Sequence, residues 1–371
     1  MRVAGSACVE SVVRGNEVVS LHRSRPKGWW GMRRFFVVLL TLATILLACL
    51  AGAGPFQSDP AGQVARAFDP NSPVSWSEIG EGRALASGDS YSTASDVKVL
   101  TDSIGPLTVF PPDERWQVTP TTYWPARAIA YLQTVKQYTP SGYSEICTGT
   151  FVGPNVLLTA AHCLYDAQYG AATSIAVVPG RDGQNFPYSY GFASDYSVTN
   201  GWYYNADWNY DWGLIWGLIL MSSSDLGNAV GNLTVGILST NTLAAQNLSP
   251  ITAGYPGDKT VGTQWAAQKT AFTAVLENVV QFTLDAYPGQ SGSAIRRGAD
   301  NLAVAVMSMQ QPSYNQGARL TQGMLDSALS WCSSKGCSIS YYVEPIAAPT
   351  PTRVPIGTPA ARVFLPLTVR N

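Results

Sequence analysis

The residue type that says most about possible chemistry is histidine, because the chain contains only two. His22 lies near the N-terminus, and His162 lies in the string CTGTFVGPNVLLTAAHC, directly after an apolar run. A disulfide between Cys147 and Cys163 would hold the turn of His162 against the incoming strand. A general base needs such a fixed position to reach its nucleophile. This setting favours a catalytic His162 over a histidine that only packs in the core.

An aspartate comes just before the apolar run of NYDWGLIWGLI. A buried carboxylate can hold an imidazole in one tautomer and stabilise the imidazolium as it forms. Asp207, in the same aromatic loop, is the alternative, but Asp211 has the apolar run directly after it. We therefore predict that Asp211 orients His162, and that the surrounding aromatic residues pack the loop.

The third element is the serine of LDAYPGQSGSAI. Gly289 and Gly292 free the backbone to turn sharply, so that the N–H groups of Gly289 and Ser291 can converge as an oxyanion hole. Serine becomes a good nucleophile when a histidine takes its proton. A GxSG string alone is weak, but the order His, Asp, Ser is far more specific. The elbow of α/β-hydrolases needs glycine where Ser293 stands and a different order, so it is excluded.

The composition fits a β-rich chain with many loops. The 371 residues carry a formal net charge of −1, only 13% are charged, and there are 34 glycines and 24 prolines. This balance gives no reason to expect nucleic acid as a partner. One histidine beyond the leader and scattered carboxylates make no ligand cluster, so we expect no metal site and no cofactor.

Short β-rich runs between turn residues predict an all-β fold from about residue 109 to 337. One segment, Gly323–Cys332, is predicted to be a helix. Strands without helices between them argue against a parallel α/β fold. The predicted strands are Ala128–Leu132, Phe151–Leu158, Ile175–Val178, Thr234–Leu238, Phe272–Leu276, Val279–Leu284 and Leu302–Met307.

The N-terminus has the order of a signal peptide. Arg33 and Arg34 precede an apolar run at 35–50, which small residues follow. We predict a leader over 1–53, with Met32 as an alternative start, and no membrane span in the mature chain. Lipidation at Cys49 is a further alternative.

The regions on either side of the β-rich part are polar and rich in turn residues. Residues 54–108 show no sustained period and are predicted to be a propeptide, with a disordered spacer as the alternative. A Pro/Thr-rich tail, predicted over 343–371, contains APTPTRVPIGTP. It is either a disordered tail or a surface-attachment signal.

Four cysteines remain beyond the leader, and they allow three pairings. Proximity favours Cys147–Cys163 and Cys332–Cys337. The first bond would close a loop of about 15 residues and stabilise the fold by roughly 3 kcal/mol in the chain-entropy model. Such bonds persist in an oxidising compartment, so we expect a secreted protein.

These blocks resemble the trypsin/chymotrypsin superfamily of serine proteases, and within it the bacterial glutamyl endopeptidases. The resemblance runs from about Val109 to Cys332 and includes VFPPDERWQVTPTTYWPARAI, VVPGRDGQNFPY, GYPGDKTVGTQW, GQSGS and SYNQGARLT beside the three catalytic strings. It implies two antiparallel β-barrels with the triad in the cleft between them, and a short C-terminal helix. It also implies a zymogen cut near Val109. We predict a protease domain over 109–342 that acts as a monomer on protein or peptide substrates.

The residues that would determine substrate specificity differ from those of the glutamate-specific relatives. Relatives that cut after glutamate use a histidine on the strand after the serine loop and a threonine five residues before the nucleophile. Here that strand is LAVAVMSMQQ, without histidine, and Ala286 occupies the threonine position. Asp285 stands where trypsin-like enzymes bind Lys or Arg. On the apolar strand that contains Val306, the residues Met307, Ser308 and Met309 could line a more apolar pocket. We take Asp285, Ala286, Val306 and Met307 as candidates for substrate binding and leave the preference open.

These sequence features lead to two hypotheses about function. The first is a secreted serine endopeptidase, and the second is a protease-like binding protein at the cell surface that has lost catalysis. The complete His, Asp and Ser set favours the enzyme.

Overall fold

The computed structural model describes residues 68–79, 85, 98–99, 107–141, 143–220 and 226–345. The predicted leader over 1–53, the alternative start at Met32 and the lipidation at Cys49 lie outside the described residues, as does nearly all of the predicted tail. Within the described part, the structure contains no helix of the length and apolar character that crossing a membrane requires.

The described chain is mostly β-structure. Its helices are α1 (Trp76–Ile79), α2 (Asn200–Asn205), α3 (Leu226–Val230), α4 (Thr240–Leu243) and α5 (Gln322–Lys335), and short 3₁₀ turns lie at Ala126–Ala128, Ala161–Cys163 and Trp208–Tyr210. Its strands are β1 (Pro73–Ser75), β2 (Lys98–Val99), β3 (Trp116–Gln117), β4 (Ile129–Lys136), β5 (Tyr143–Gly153), β6 (Val156–Thr159), β7 (Tyr165–Asp166), β8 (Gly170–Pro179), β9 (Gly191–Thr199), β10 (Gly213–Leu220), β11 (Val235–Ile237), β12 (Pro250–Gly254), β13 (Trp265–Gln268), β14 (Ala274–Val275), β15 (Val279–Phe282), β16 (Ala294–Arg297), β17 (Ala303–Gln311), β18 (Tyr314–Arg319) and β19 (Tyr341–Val343).

The first sheet closes into a barrel of six antiparallel strands. Its order is β9-β10-β6-β5-β4-β8, and β8 pairs back to β9. Closure leaves few unpaired backbone groups at the edges. Large apolar side chains with no exposed surface fill the barrel, among them Leu132, Phe151, Leu157, Val177 and Ile215.

The second sheet follows the order β14-β15-β18-β17-β16-β12-β13-β3, and these neighbours pair antiparallel. β11 adds to it by parallel pairing with β17 and β19. A smaller buried cluster joins the two sheets: the ring of Tyr131 on β4 lies edge-on to that of Tyr255, with centroids 5.6 Å apart. The two sheets therefore meet along a packed interface.

The predicted fold class is confirmed, with differences at two strands. The run Phe151–Leu158 was predicted as one strand, but it spans a hairpin, because β5 ends at Gly153 and β6 begins at Val156. The intervening Pro154 has no N–H to continue a ladder. Of the predicted strand Phe272–Leu276, only Ala274–Val275 is extended. The predicted helix is present as α5, capped by the Thr321 side chain and ended by Gly336 at φ +68°.

Both predicted disulfides are confirmed. Cys147 on β5 is bonded to Cys163 at the end of a 3₁₀ turn, and Cys332 on α5 is bonded to Cys337. The first bond ties the turn after β6 to the centre of the barrel. The second ties the end of α5 to the chain that follows it.

Candidate active site

Two of the three predicted catalytic residues lie at the ends of paired strands. His162 sits in the 3₁₀ turn directly after β6, and Asp211 follows a 3₁₀ turn and comes just before β10. β6 and β10 pair antiparallel, with Thr159 opposite Gly213. The end of β6 and the start of β10 are therefore neighbours, and this register brings the two side chains together.

The Asp211 carboxylate contacts His162 at two atoms. The carboxylate Oδ1 accepts the backbone N–H of His162 at 2.9 Å, and Oδ2 lies 2.7 Å from the ring Nδ1. Both side chains are fully buried. An ionised carboxylate can only accept, so the proton belongs on Nδ1 and Nε2 is left as the basic nitrogen. Among the described residues, no hydrogen-bond partner reaches Nε2.

Ser308, which the sequence analysis placed only beside an apolar pocket, also binds the Asp211 carboxylate. The Ser308 hydroxyl, on β17 of the second sheet, donates to Oδ2 of Asp211 at 2.6 Å. The carboxylate is thus held from both sheets. A small polar residue within an apolar strand was the visible signal in the sequence, but nothing there identified its partner.

Asp207, the alternative to Asp211, has a different role. Its carboxylate accepts the N–H of Asn209 at 2.9 Å and caps the 3₁₀ turn that leads to Asp211. Trp202 and Trp208 pack edge-on with centroids 4.9 Å apart, and both face the His162 ring at about 6 Å. The aromatic loop therefore encloses the imidazole.

A buried lysine supports the turn of His162 from inside the barrel. Lys136 Nζ donates to the backbone carbonyl of His162 at 2.7 Å and to Asp166 at 2.5 Å, and it also pairs with Glu145. Burial alone would lower the pKa of Lys136, but the two carboxylates raise it above its ordinary value. The lysine is therefore a fixed cation. The sequence contained no signal for this role.

Ser291 lies in the tight turn before β16. Gly289 and Gly292 have φ of +103° and +85°, which favours glycine at both positions. Thr148 on β5 binds the turn twice, with its N–H to the Ser291 carbonyl and its hydroxyl to the Gly289 carbonyl, both at 2.8 Å. A Cβ on Gly292 would lie 2.2 Å from the Thr159 hydroxyl oxygen. The serine turn thus packs against the end of β6, just before the turn that carries His162.

The backbone of this turn leaves two donors available. Within the described chain, the N–H groups of Gly289 and Ser291 donate to no protein acceptor, whereas those of Gln290, Gly292 and Ser293 all donate to backbone carbonyls. Ser291 keeps 8% of its surface exposed. The two free donors are the ones that the sequence predicted as an oxyanion hole.

Asp285, a predicted substrate-binding residue, already has partners. Its carboxylate oxygens accept the N–H groups of Phe110 and Glu114 at 2.7 and 2.9 Å, and the residue is 1% exposed. The chain between residues 107 and 117 therefore lies on this carboxylate. Its predicted contact with substrate stays a prediction.

The other three candidates for substrate binding are buried. Ala286, Val306 and Met307 have no exposed surface, and Val306 and Met307 belong to the hydrophobic cores. The backbone of Met307 contacts the serine turn, since its carbonyl accepts the N–H of Gly292 at 2.8 Å. Their role in specificity also stays a prediction.

One group of possible metal ligands lies together in the described part of the chain. It consists of Cys147, His162 and Cys163. The two sulfurs are joined to each other in a disulfide, so neither offers the thiolate that zinc binds. This donor set does not fit a metal centre.

A closed antiparallel barrel packed on a second sheet, with a buried His–Asp pair beside a serine turn, defines a chymotrypsin-like serine protease. The Trypsin family model matches residues 124–324. The chain therefore belongs to the trypsin family and is a serine endopeptidase of its glutamyl endopeptidase branch, as the sequence blocks predicted.

Two curated relatives come from Bacillus. A protein named extracellular metalloprotease, from Bacillus subtilis, is 33% identical over 255 residues, which are 68% of this chain and 78% of that protein. A glutamyl endopeptidase from Bacillus licheniformis is 32% identical over 234 residues, 60% of this chain and 68% of that protein.

Solved structures share the fold. A Glu endopeptidase in complex with MPD aligns with a TM-score of 0.52 and 24% identity, over 61% of this chain and 100% of that one. The protease Anisep from Arthrobacter nicotinovorans aligns with a TM-score of 0.50 and 19% identity, over 59% of this chain and 99% of that one.

Proposed function

We propose that this chain is a secreted serine endopeptidase in which His162, Asp211 and Ser291 form the catalytic triad. The observation that carries the proposal is the double contact of Asp211 with the backbone and the ring of His162, beside the turn of Ser291. This contact holds the imidazole in the tautomer that a base requires.

The reaction would proceed through an acyl-enzyme. Ser291 Oγ attacks the peptide carbonyl while His162 Nε2 takes its proton, and His162 then protonates the leaving amine. Water, activated by the same nitrogen, hydrolyses the ester and restores the serine. Asp211 stays ionised and stabilises the imidazolium, and Ser308 holds the carboxylate in place.

The N–H groups of Gly289 and Ser291 would bind the oxyanion of each tetrahedral intermediate. Their freedom from protein acceptors among the described residues supports this role. Donors that are already oriented need no rearrangement as the charge develops, which is why such sites contribute several kcal/mol, about 3 to 4 per donor.

The substrate class is protein or peptide. Both oxygens of Asp285 are taken by backbone amides, so we expect no preference for Lys or Arg from this residue. The histidine and threonine that glutamate-specific relatives use are absent from the equivalent positions of this sequence. Digestion of a mixed peptide library, followed by mass spectrometry, measures the preference.

We place the enzyme outside the cell. The order of a signal peptide, two disulfides and a Bacillus subtilis relative named as extracellular support this location. We further propose a protease domain over 109–342, released by a cut near Val109 and active as a monomer.

The test replaces the nucleophile and a matched serine outside the site. Ser291→Ala should lower turnover by about 10⁴ to 10⁶ and abolish labelling by a fluorophosphonate. Ser313→Ala, in the exposed turn between β17 and β18, should leave both unchanged. Absence of labelling in the processed wild-type protein would favour a binding protein that has lost catalysis.

A further inference from the structure

A short segment from the range predicted as propeptide is built into the first barrel. β1 pairs antiparallel with the end of β9, where Val74 lies opposite Val198. β8 closes the barrel on the start of β9 only, at Gly191 and Phe192. Without β1, the end of β9 would present an open strand edge.

Apolar side chains anchor this segment. Val74 and Trp76 are each 6% exposed and belong to the core of the first barrel. The Trp76 ring packs on Tyr196 of β9 with centroids 5.6 Å apart. A spacer that merely linked two parts of the chain would not bury its side chains in this way.

The same segment caps a helix beside the active site. The first N–H groups of α2 have no partners within the helix. Asn200 N–H donates to the Ser72 carbonyl at 2.8 Å, and Gly201 N–H donates to the Pro70 carbonyl at 2.9 Å. Both bonds would be lost if the segment left.

The contacts continue to the catalytic residues. The Thr199 hydroxyl, at the end of β9, accepts the N–H of Trp202 at 3.0 Å and donates to the carbonyl of Tyr210 at 2.7 Å. Tyr210 directly precedes Asp211, and Trp202 faces the ring of His162. β9, the strand with which β1 pairs, therefore helps to position Trp202 and Asp211, two residues that contact the imidazole.

We propose that residues 68–79 remain on the processed enzyme as a permanent strand of the first barrel and position the loop that carries Trp202 and Asp211. A cut near Val109 would break the chain downstream of this segment but would leave its ladder, buried side chains and helix bonds in place. The partner of the open end of β9 is thus the upstream part of the same chain.

Native mass spectrometry of the secreted, processed protein tests retention. The native mass should include residues 68–79, and denaturing conditions should show them either within the main chain or as a released peptide. A native mass that corresponds only to a chain beginning after residue 79 would overturn the proposal. The mass does not depend on catalysis, so this result is separate from a failure of the proposed triad.

Three full-length variants test the positioning role. Val74→Asp puts a charge into the core and should lower kcat/KM by about ten- to a hundredfold, mainly through kcat. Val74→Ile keeps an apolar side chain and should retain the wild-type rate. Glu78→Gln, which is exposed and can still accept the Ser75 N–H, should also match the wild type.

If Val74→Asp is not secreted, Val74→Ala provides the same comparison with a smaller fall in kcat. Wild-type turnover by a variant whose native mass shows loss of the segment would overturn the positioning role.

Discussion

Two upstream segments of the chain are attached to the two sheets by contacts that differ mainly in their share of charged groups. Residues 68–79 lie on the first barrel through a backbone ladder and the buried side chains of Val74 and Trp76. Residues 107–117 lie on the second sheet through β3, through the buried side chain of Leu107 and through many charged groups.

The charged contacts of the second segment are extensive. Asp285 accepts two backbone N–H groups, and Arg115 forms ion pairs with Asp113 and Asp258. Glu114 pairs with Lys269 on the adjoining surface. Apolar burial does not depend on protonation and is little affected by salt, whereas carboxylates respond to pH and exposed ion pairs respond to salt as well. The two attachments should therefore fail under different conditions.

The largest effect should come from the apolar attachment. Trp76→Ala removes a buried aromatic ring and should lower the free energy of unfolding by about 3 kcal/mol, equally at low and high salt. Urea unfolding at two ionic strengths measures this, with the 56% exposed Phe68→Ala as the control. A loss that shrinks markedly with salt would contradict the apolar basis of this attachment.

The buried carboxylate of Asp285, which binds the second segment, should have the next largest effect. Asp285→Asn keeps one acceptor but turns an NH₂ group towards a backbone donor, so we expect a loss of about 1 to 3 kcal/mol. Hydrogen exchange should become faster at the amides of Phe110 and Glu114, while β1 keeps its protection. Unchanged exchange at those two amides would show that Asp285 does not hold the segment.

Acid should act on the second segment first. The Arg115 guanidinium, with a smaller contribution from Lys259, holds the pKa of Asp113 below its usual range. A carboxylate with a lowered pKa stabilises the fold fully above the ordinary value of about 3.9, and this contribution is lost progressively as pH falls from there towards the folded pKa.

Limited proteolysis between pH 6 and 2.5 should therefore open residues 107–117 before 68–79. Asp113→Asn should remove part of this pH dependence, at a cost of about 1 kcal/mol or less because the carboxylate is partly exposed. Simultaneous opening of both segments would contradict the comparison.

The smallest effect should come from the exposed ion pair between Glu114 and Lys269. Glu114 and Lys269 are 53% and 30% exposed at their side chains. Glu114→Gln should change the free energy of unfolding by no more than about 0.5 kcal/mol, and less at high salt. A larger change in urea unfolding would mean that this pair does more than its exposure indicates.

The sequence was informative wherever chemistry and local chain order coincide. The one histidine beyond the predicted leader next to a cysteine, an aspartate before an apolar run and a serine near two glycines were each visible within a few residues. The disulfides followed from proximity along the chain. The hairpin at Pro154 was missed because an apolar pattern does not distinguish one strand from two short ones.

The residue types and order of the proposed triad, the β-rich class and the cysteine pairs were thus determined by the sequence alone. Only the tertiary structure decided that Ser308 holds Asp211 across 97 residues, that Lys136 supports His162 and that Asp285 binds Phe110 across 175 residues. The physical reason is that such contacts depend on strand register and on how the sheets pack. A sequence window records the side chains but not which distant strand end will lie against them.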